Sequence, residues 1–189
     1  MRQSVSVQRL CLVGLAVCIN LVGGQIALTL RLPVYLDSIG TILTGALLGS
    51  WYGMIPNLLS GILSGMTTDI YALYFAPVGM LVGMMSGFVL HGAAEQEPKW
   101  SSLFLPAVFV TVPGTIVSSV ICAVLFGGIT SSGSTILVQL LAKTPLGMTA
   151  SVFVVQIATD YLDRLISIFA VICVLRAIPF DMKRCLLKR

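Results

Sequence analysis

Long apolar stretches, separated by short polar or glycine- and proline-rich breaks, run through nearly the whole chain. A helix needs about 20 mostly apolar residues to cross a bilayer, and the breaks divide the chain into six candidate transmembrane helices. These predicted helices span 7–28, 38–48, 54–66, 76–91, 103–126 and a last segment ending near 178. The second and third are short for a full crossing, which is tolerated where a helix lines a cavity instead of facing lipid. The pattern predicts an all-α integral membrane protein, a bundle of six transmembrane helices hollowed on one side.

The last apolar region, 135–178, is too long for one spanning helix, and Lys143, Pro145 and the charged stretch 160–164 interrupt it. We predict a surface helix or loop over about 135–145, followed by a long, tilted or kinked sixth helix. The competing interpretation is a separate span over 146–159.

Basic residues indicate the orientation, because Lys and Arg near helix ends favour the cytoplasmic side. Arg2 and Arg9 flank the first helix. Five more lie at or beyond the end of the last one: Arg176, Lys183, Arg184, Lys188 and Arg189. Both N and C termini are therefore predicted to be cytoplasmic, which requires an even number of crossings. The first apolar run has no cleavage site after it, so we expect it to stay in the protein as a helix.

The composition agrees with a membrane protein. The 189 residues are 57% hydrophobic and 10% charged, whereas ordinary soluble domains carry about a quarter charged residues. At 20.1 kDa there is room for a single transmembrane domain over 1–189. The net charge of +4 is small. We interpret it as a sign of how the chain is oriented in the membrane and not of nucleic-acid binding. The five cysteines form no C-x-x-C pair and His91 is the only histidine, so no metal or redox centre is expected.

An ionisable residue at membrane depth is costly and is a functional candidate by default. In the predicted topology the aspartates and arginines of the inner chain all fall in the outer half, close to tyrosines. Small-molecule pockets combine apolar and aromatic walls with a few converging polar groups, which this mixture provides. The predicted substrate-binding residues are Arg31, Tyr35, Asp37, Asp69, Tyr71, Tyr74 and Asp163.

Several of these side chains have a second interpretation. Asp160 and Arg164 are spaced i,i+4, so an ion pair within the helix is as good an explanation as a ligand site. Asp163 lies on another face and is expected to answer Arg31 or a ligand. The tyrosines equally suit an interfacial belt, and Asn57 suits either the pocket or an interhelical hydrogen bond.

Small residues on the first helix, Cys11, Gly14 and Cys18, form a stripe that lets another helix approach closely. We predict this stripe as a docking face for a partner protein. Glycines recur in the same way on the next three predicted helices, where we expect them to serve packing inside the bundle. They are Gly40, Gly45, Gly49, Gly61, Gly65, Gly79, Gly83 and Gly87.

The chain carries no G-x-x-x-x-G-K-[ST] loop, no H-E-x-x-H motif and no Ser–His pairing. No catalytic residue is therefore predicted, and the protein is not expected to be an enzyme. A membrane protein that gathers polar groups on one side without a motor would need a partner to drive transport.

Five motifs in order resemble the S components of energy-coupling factor (ECF) transporters. They are NLVGGQ at 20–25, LPVYLDSIGT at 32–41, LGSWYG at 48–53, TDIYALYFAP at 68–77 and DYLDRL at 160–165. The resemblance covers nearly the whole chain in size, hydropathy and order of motifs. It implies six helices around an outward-opening cavity, closed by the connection between the first two helices acting as a lid.

The resemblance also implies partners and a mechanism. A transmembrane coupling subunit and two cytoplasmic ATPases, which hydrolyse ATP with Mg, would drive the protein to topple in the bilayer of a bacterial cell and release its substrate inward. The family carries an A-x-x-x-A-like stripe on the first helix, where this chain has Gly14-x-x-x-Cys18. Substrates of the family are water-soluble vitamins and related micronutrients. The acidic outer rim disfavours a strongly anionic ligand, so a cobalamin-like or nucleoside-like compound fits better.

Two other function classes stay open from the sequence. One is a self-sufficient ion-coupled secondary transporter, for which Asp160 with Arg164 is the candidate ion site. The other is a membrane scaffold or an intramembrane enzyme.

Overall fold

The computed structural model describes residues 7–94, 104–145 and 147–178. All regular secondary structure in these ranges is α-helical, as the hydropathy pattern predicts. The helices are α1 (Val7–Thr29), α2 (Ile39–Leu48), α3 (Ser50–Thr67), α4 (Ile70–Ala94), α5 (Phe104–Phe126), α6 (Ser134–Leu141) and α7 (Gly147–Ala177). Of the basic residues that predict cytoplasmic termini, only Arg9 and Arg176 lie within the described residues.

Three of these helices are long and apolar enough to cross a membrane: Val7–Thr29, Ile70–His91 and Phe104–Phe126. The outward face of α5 is apolar and its inward face is polar: Phe109 and Ile116 are more than half exposed, while Thr115 and Ser118 are buried and donate hydrogen bonds to Asp160. A helix that turns apolar side chains outward and polar ones inward suits a hydrocarbon surrounding, because only the protein interior then offers hydrogen-bond partners. The chain is therefore a membrane protein.

The short helix α2 lies at the centre of the bundle. Every residue from Gly40 to Leu47 is buried, and α1, α3, α4 and α7 all pack against this helix. Ten residues are too few to cross a bilayer, but a helix enclosed by protein has no need to match the bilayer thickness.

Glycines let α2, α3 and α4 approach closely, as predicted from their spacing. A Cβ on Gly45 would meet the backbone of Gly83 at 2.9 Å, and one on Gly53 would meet the same backbone even more closely. Gly87 faces the backbone at Ser50 in the same way. Any larger residue at these positions would force the helices apart.

Two predicted boundaries are wrong, and both have a local cause. The third helix was predicted to begin at 54, after a turn over 49–53. Gly49 alone makes this turn, at a φ of 87° that glycine adopts without strain, and α3 therefore begins at Ser50. The fourth helix begins at Ile70 and not at 76, because the carboxylate of Asp69 accepts a hydrogen bond of 3.1 Å from the N–H of Tyr71. An aspartate in this position stabilises a helix start, and the tyrosines that follow it lie on α4 and not in a loop.

The region after α5 agrees with the preferred interpretation. The short helix α6 precedes α7, which runs for 31 residues from Gly147 to Ala177. The separate span over 146–159 is wrong, because the helix continues through 160–164 without a break. The buried aspartates of that stretch are satisfied by neighbouring helices and do not end it.

The apolar core occupies one end of the bundle, where α2, α4, α5 and α7 meet through Ile42, Leu47, Val82, Val110 and Ile168. The opposite end, which we call the polar end, contains the close of α1 and α3, the start of α4, and the connections 30–38 and 127–133. Buried polar side chains are concentrated toward this end, and so are the cavities.

Candidate functional site

The polar end contains a cavity with a volume of about 100 Å³, which we call the outer chamber. Its walls come from α1, α3, α4 and both connections, and they combine aromatic and small apolar side chains with polar ones. The polar lining includes Asn20, Asp37, Asn57, Asp69 and Ser131. Small-molecule sites have this composition.

A second cavity of about 40 Å³, the inner chamber, lies deeper. It shares four lining residues with the outer chamber: Tyr35, Asp37, Asn57 and Phe75. Ser118, Asp160 and Arg164 also line it. The four shared residues therefore form the passage between the two chambers.

The connection 30–38 is fixed over the site by one carboxylate of α7. Asp163 Oδ1 accepts hydrogen bonds from the backbone N–H of Tyr35 at 3.0 Å and of Leu36 at 2.7 Å. Its Oδ2 accepts one from the Ser38 hydroxyl at 3.1 Å. Asp163 is completely buried, so its role in this structure is to hold the connection.

Arg164 neutralises that carboxylate. Its Nη1 lies 2.6 Å from Asp163 Oδ2 and also donates to the Ser38 hydroxyl. The i,i+4 ion pair of Asp160 with Arg164, one of the two interpretations of their spacing, does not form, because the guanidinium pairs with Asp163 instead.

Asp160 instead has hydroxyl partners on α5. Its Oδ2 accepts hydrogen bonds from Thr115 at 2.9 Å and from Ser118 at 3.0 Å. The residue is 4% exposed, and its side chain borders the inner chamber. Arg164 attracts this carboxylate electrostatically, but no salt bridge compensates its charge within the described residues.

Close backbone contacts also position the connection. A Cβ on Gly23 would collide with the carbonyl oxygen of Leu36, and one on Gly133 would collide with that of Arg31. Arg31 and Leu36 themselves have positive φ values of 50° and 54°. This conformation costs a non-glycine residue about 1–2 kcal/mol, so the surrounding contacts must hold the connection in place.

Burial changes the acidity of two groups in the connection. It raises the pKa of the Asp37 carboxyl to about 6, and the nearby Asp163 carboxylate adds to this effect. Burial likewise raises the pKa of the Tyr35 phenol well above its ordinary value. The phenol is therefore protonated and donates to Gln156 Oε1 at 3.3 Å.

An aromatic cluster supports the outer chamber from the side. The ring of Phe126 lies 4.8 Å from that of Tyr71, 5.3 Å from Tyr74 and 6.1 Å from Phe75. Tyr71 and Phe75 line the chamber, whereas Tyr74 is 48% exposed on the outer side of the cluster.

The structure brings four of the seven predicted substrate-binding residues together in the outer chamber: Tyr35, Asp37, Asp69 and Tyr71. The other three are elsewhere. Asp163 lies beneath the connection, and neither Arg31 nor Tyr74 lines the two chambers. The predicted role of Asp163 as a partner of Arg31 is replaced by its pairing with Arg164.

Sequence reasoning missed part of the lining. Asn20 donates to Thr41 Oγ1 at 2.8 Å and accepts from the N–H of Gly40 at 2.9 Å, which joins α1 to α2 at the wall of the outer chamber. The segment 130–132 closes another wall, although its Gly/Ser-rich sequence looks like a plain linker. The lone asparagine in an apolar helix was the available signal for Asn20.

The predicted docking residues lie on the outer surface of α1. Cys11, Gly14 and Cys18 are exposed, and a Cβ on Gly14 would meet no atom within 4 Å. Exposed Leu10 and Leu15 share this part of the helix. The stripe therefore lies on the outward face of the described bundle.

Known proteins do not identify the site. Comparisons of the chain with family models, curated proteins and solved structures gave no significant match. The function must therefore be argued from the two chambers and the connection that covers them.

Proposed function

We propose that this chain is the substrate-binding membrane subunit of an ECF-type importer. The observation that carries the proposal is the outer chamber at the polar end, beneath a connection held by buried Asp163. An aromatic and polar cavity at one end of a lipid-facing bundle suits capture of a water-soluble molecule. The motif resemblance to S components supports the same function.

In this proposal α1 to α5 and α7 form a six-helix, multi-pass bundle in the membrane of a bacterial cell, with the short α2 enclosed by the longer helices. The N and C termini lie in the cytoplasm, and the polar end faces outward. The enclosed position of α2 supports this arrangement, since a helix surrounded by protein need not be long enough to contact both interfaces.

The chain itself has no enzymatic role in this scheme. Two cytoplasmic ATPases would bind ATP and Mg, and a transmembrane coupling subunit would dock on the stripe of Cys11, Gly14 and Cys18. That stripe is exposed, and a Cβ on Gly14 would meet no atom within 4 Å, as a docking face requires. ATP-driven toppling would then release the substrate inward.

The substrate is proposed to be a water-soluble vitamin or related micronutrient. A chamber of about 100 Å³ favours a compact ligand over a cobalamin, which would require the connection 30–38 to move away. The acidic lining disfavours a strongly anionic ligand, because like charges repel strongly where water is scarce.

A second candidate is an ion-coupled secondary transporter that acts alone. The observation in its favour is Asp160, a buried membrane carboxylate that has no salt bridge in the described part of the chain. Such residues recur in proton and ion pathways.

Purification from the native membrane and reconstitution separate these candidates. The importer proposal predicts that ATPase subunits copurify with the tagged chain and that vesicles take up substrate only with those subunits and ATP. Uptake by the chain alone, driven by an ion gradient, would replace the importer proposal with the transporter.

A further inference from the structure

The ionised groups around the inner chamber do not balance. Three aspartates, Asp37, Asp160 and Asp163, lie near a single guanidinium, that of Arg164. Arg164 is committed to Asp163, whose two oxygens accept four hydrogen bonds. Arg164 also attracts Asp37 and Asp160 electrostatically, but neither forms a salt bridge with it in the described part of the chain, and one guanidinium cannot balance three carboxylates.

Both remaining carboxylates border the inner chamber. Asp160 is 4% exposed. Thr115 and Ser118 both donate to its Oδ2, and its Oδ1 accepts no hydrogen bond from the residues that the structure describes. The Asp37 carboxylate accepts no hydrogen bond from any other described residue; its backbone carbonyl is the group that accepts from Asn57, at 3.2 Å. Each has unused acceptor capacity toward the chamber.

Carboxylates that a single guanidinium balances only in part are costly beside a cavity, and a bound cation lowers that cost. On the basis of the proposed function, we propose that the inner chamber receives a positively charged nitrogen of the substrate, an ammonium or a protonated ring nitrogen, between Asp37 and Asp160. The uncharged remainder of the substrate occupies the outer chamber. The passage residues Tyr35 and Phe75 present aromatic rings, which attract cations as well as apolar groups.

The chemistry of the chamber selects an organic cation over a metal ion. Within the described ranges no group of three His, Cys, Asp or Glu side chains stands close enough to hold a metal, and Ca²⁺ requires about 6–8 oxygen ligands. A volume of about 40 Å³ suits one nitrogen-centred group. Two carboxylates, an amide and a phenol then supply acceptors for its N–H donors.

The test uses three probes of nearly equal shape and different charge: 2-phenylethylamine, 2-phenylethanol and phenylacetate. The purified full chain in lipid nanodiscs is titrated with each, and the thermal midpoint is recorded at constant ionic strength. The ammonium is expected to raise the midpoint in a saturable manner, with apparent affinity at least roughly tenfold above that of the alcohol. Equal shifts by amine and alcohol, a larger shift by phenylacetate, or no shift by the amine would overturn the inference.

Variants assign the effect to the two carboxylates. Asp37→Asn and Asp160→Asn are each expected to lower the apparent affinity for 2-phenylethylamine by roughly 10- to 100-fold and to leave the affinity for 2-phenylethanol unchanged. Asp37→Glu retains the negative charge and should retain the preference for the amine. An unaltered amine preference in both asparagine variants would contradict the assignment.

Mass spectrometry of the molecule retained by the purified wild-type chain separates this inference from the proposed function. A retained vitamin-like molecule with a basic nitrogen supports both. A retained molecule without one removes the cation inference and leaves the importer standing. Absence of copurifying ATPases removes the importer, while the probe series still reports on the cation site.

Discussion

The backbone N–H of Leu36 donates a 2.7 Å hydrogen bond to Asp163 Oδ1, across 127 positions of sequence. It joins the middle of α7 to the connection that covers both chambers. Asp163 is also the ion-pair partner of Arg164. The same carboxylate therefore links the connection 30–38 to the buried charges of α7. Substitution of Asp163 should therefore loosen the connection 30–38 as well as destabilise α7.

Replacement of Asp163 by asparagine removes a buried charge and leaves Arg164 unpaired. Breaking a buried pair in this way costs about 3–5 kcal/mol, so we expect a clearly lower thermal midpoint. Hydrogen exchange at the amides of Tyr35 and Leu36 should also accelerate. Thr135→Ala, which removes hydrogen bonds only to Thr130, is the control, and it should leave exchange at 35–36 unchanged. Protection that persists in Asp163→Asn would contradict this account of the connection.

Two adjacent glycines of α1 offer a matched test of the close backbone contact. Gly23→Ala places a methyl group against the carbonyl oxygen of Leu36, whereas Gly24→Ala places one at an ordinary 3.5 Å from the Asp37 Cβ. We expect Gly23→Ala to lower the thermal midpoint and to loosen 34–37 in hydrogen exchange. Gly24→Ala should be neutral or slightly stabilising, since alanine favours a helix by about 0.5–1 kcal/mol over glycine. Identical behaviour of the two variants would show that the contact does not matter.

The stability of the ligand-free protein should depend on pH through Asp37. Burial raises its pKa from 3.8 to about 6; Asp163 and Asp160 add to the rise, and Arg164 opposes it. A raised folded-state pKa means that the stabilisation is complete below the unfolded pKa and is lost as pH rises through about 6. The thermal midpoint should accordingly be higher at pH 5 than at pH 7.5, and Asp37→Asn should reduce that difference. A wild-type midpoint that rises toward pH 7.5 by the same amount in the variant would exclude Asp37 as the cause.

The helices that sequence predicts best are those with long uninterrupted apolar runs, such as α1 and α5, because hydropathy and length alone define them. The start of α4 was missed because one hydrogen bond, from Tyr71 to Asp69, outweighs the polar composition of the segment. The hydrogen bonds of Asp163 to the connection 30–38 could not be predicted from the sequence. Helical spacing predicts neighbours one turn apart, and it gives no information on a partner such as Ser38 in a distant connection. Asp37 and Asp69 were found because a charge in an apolar chain is itself a signal.

The proposed orientation places the polar end outside the cell. In a variant whose five native cysteines are replaced by alanine, Ser131→Cys at the rim of the outer chamber should react with a membrane-impermeant maleimide added to intact cells. Val174→Cys, near the opposite end of α7, should not react from that side. Labelling of position 131 only after the membrane is opened would contradict the orientation.

The central claim is that the outer chamber binds a small molecule, and native mass spectrometry of the purified full chain tests it most directly. Ala72 lines the chamber and the adjacent Leu73 is 40% exposed, so Ala72→Trp fills the cavity while Leu73→Trp is a matched control outside it. The account predicts a stoichiometric small-molecule adduct in the wild type and in Leu73→Trp, and its loss in Ala72→Trp. An adduct that survives in Ala72→Trp, or none in the wild type when it is purified from its own membrane, would contradict it.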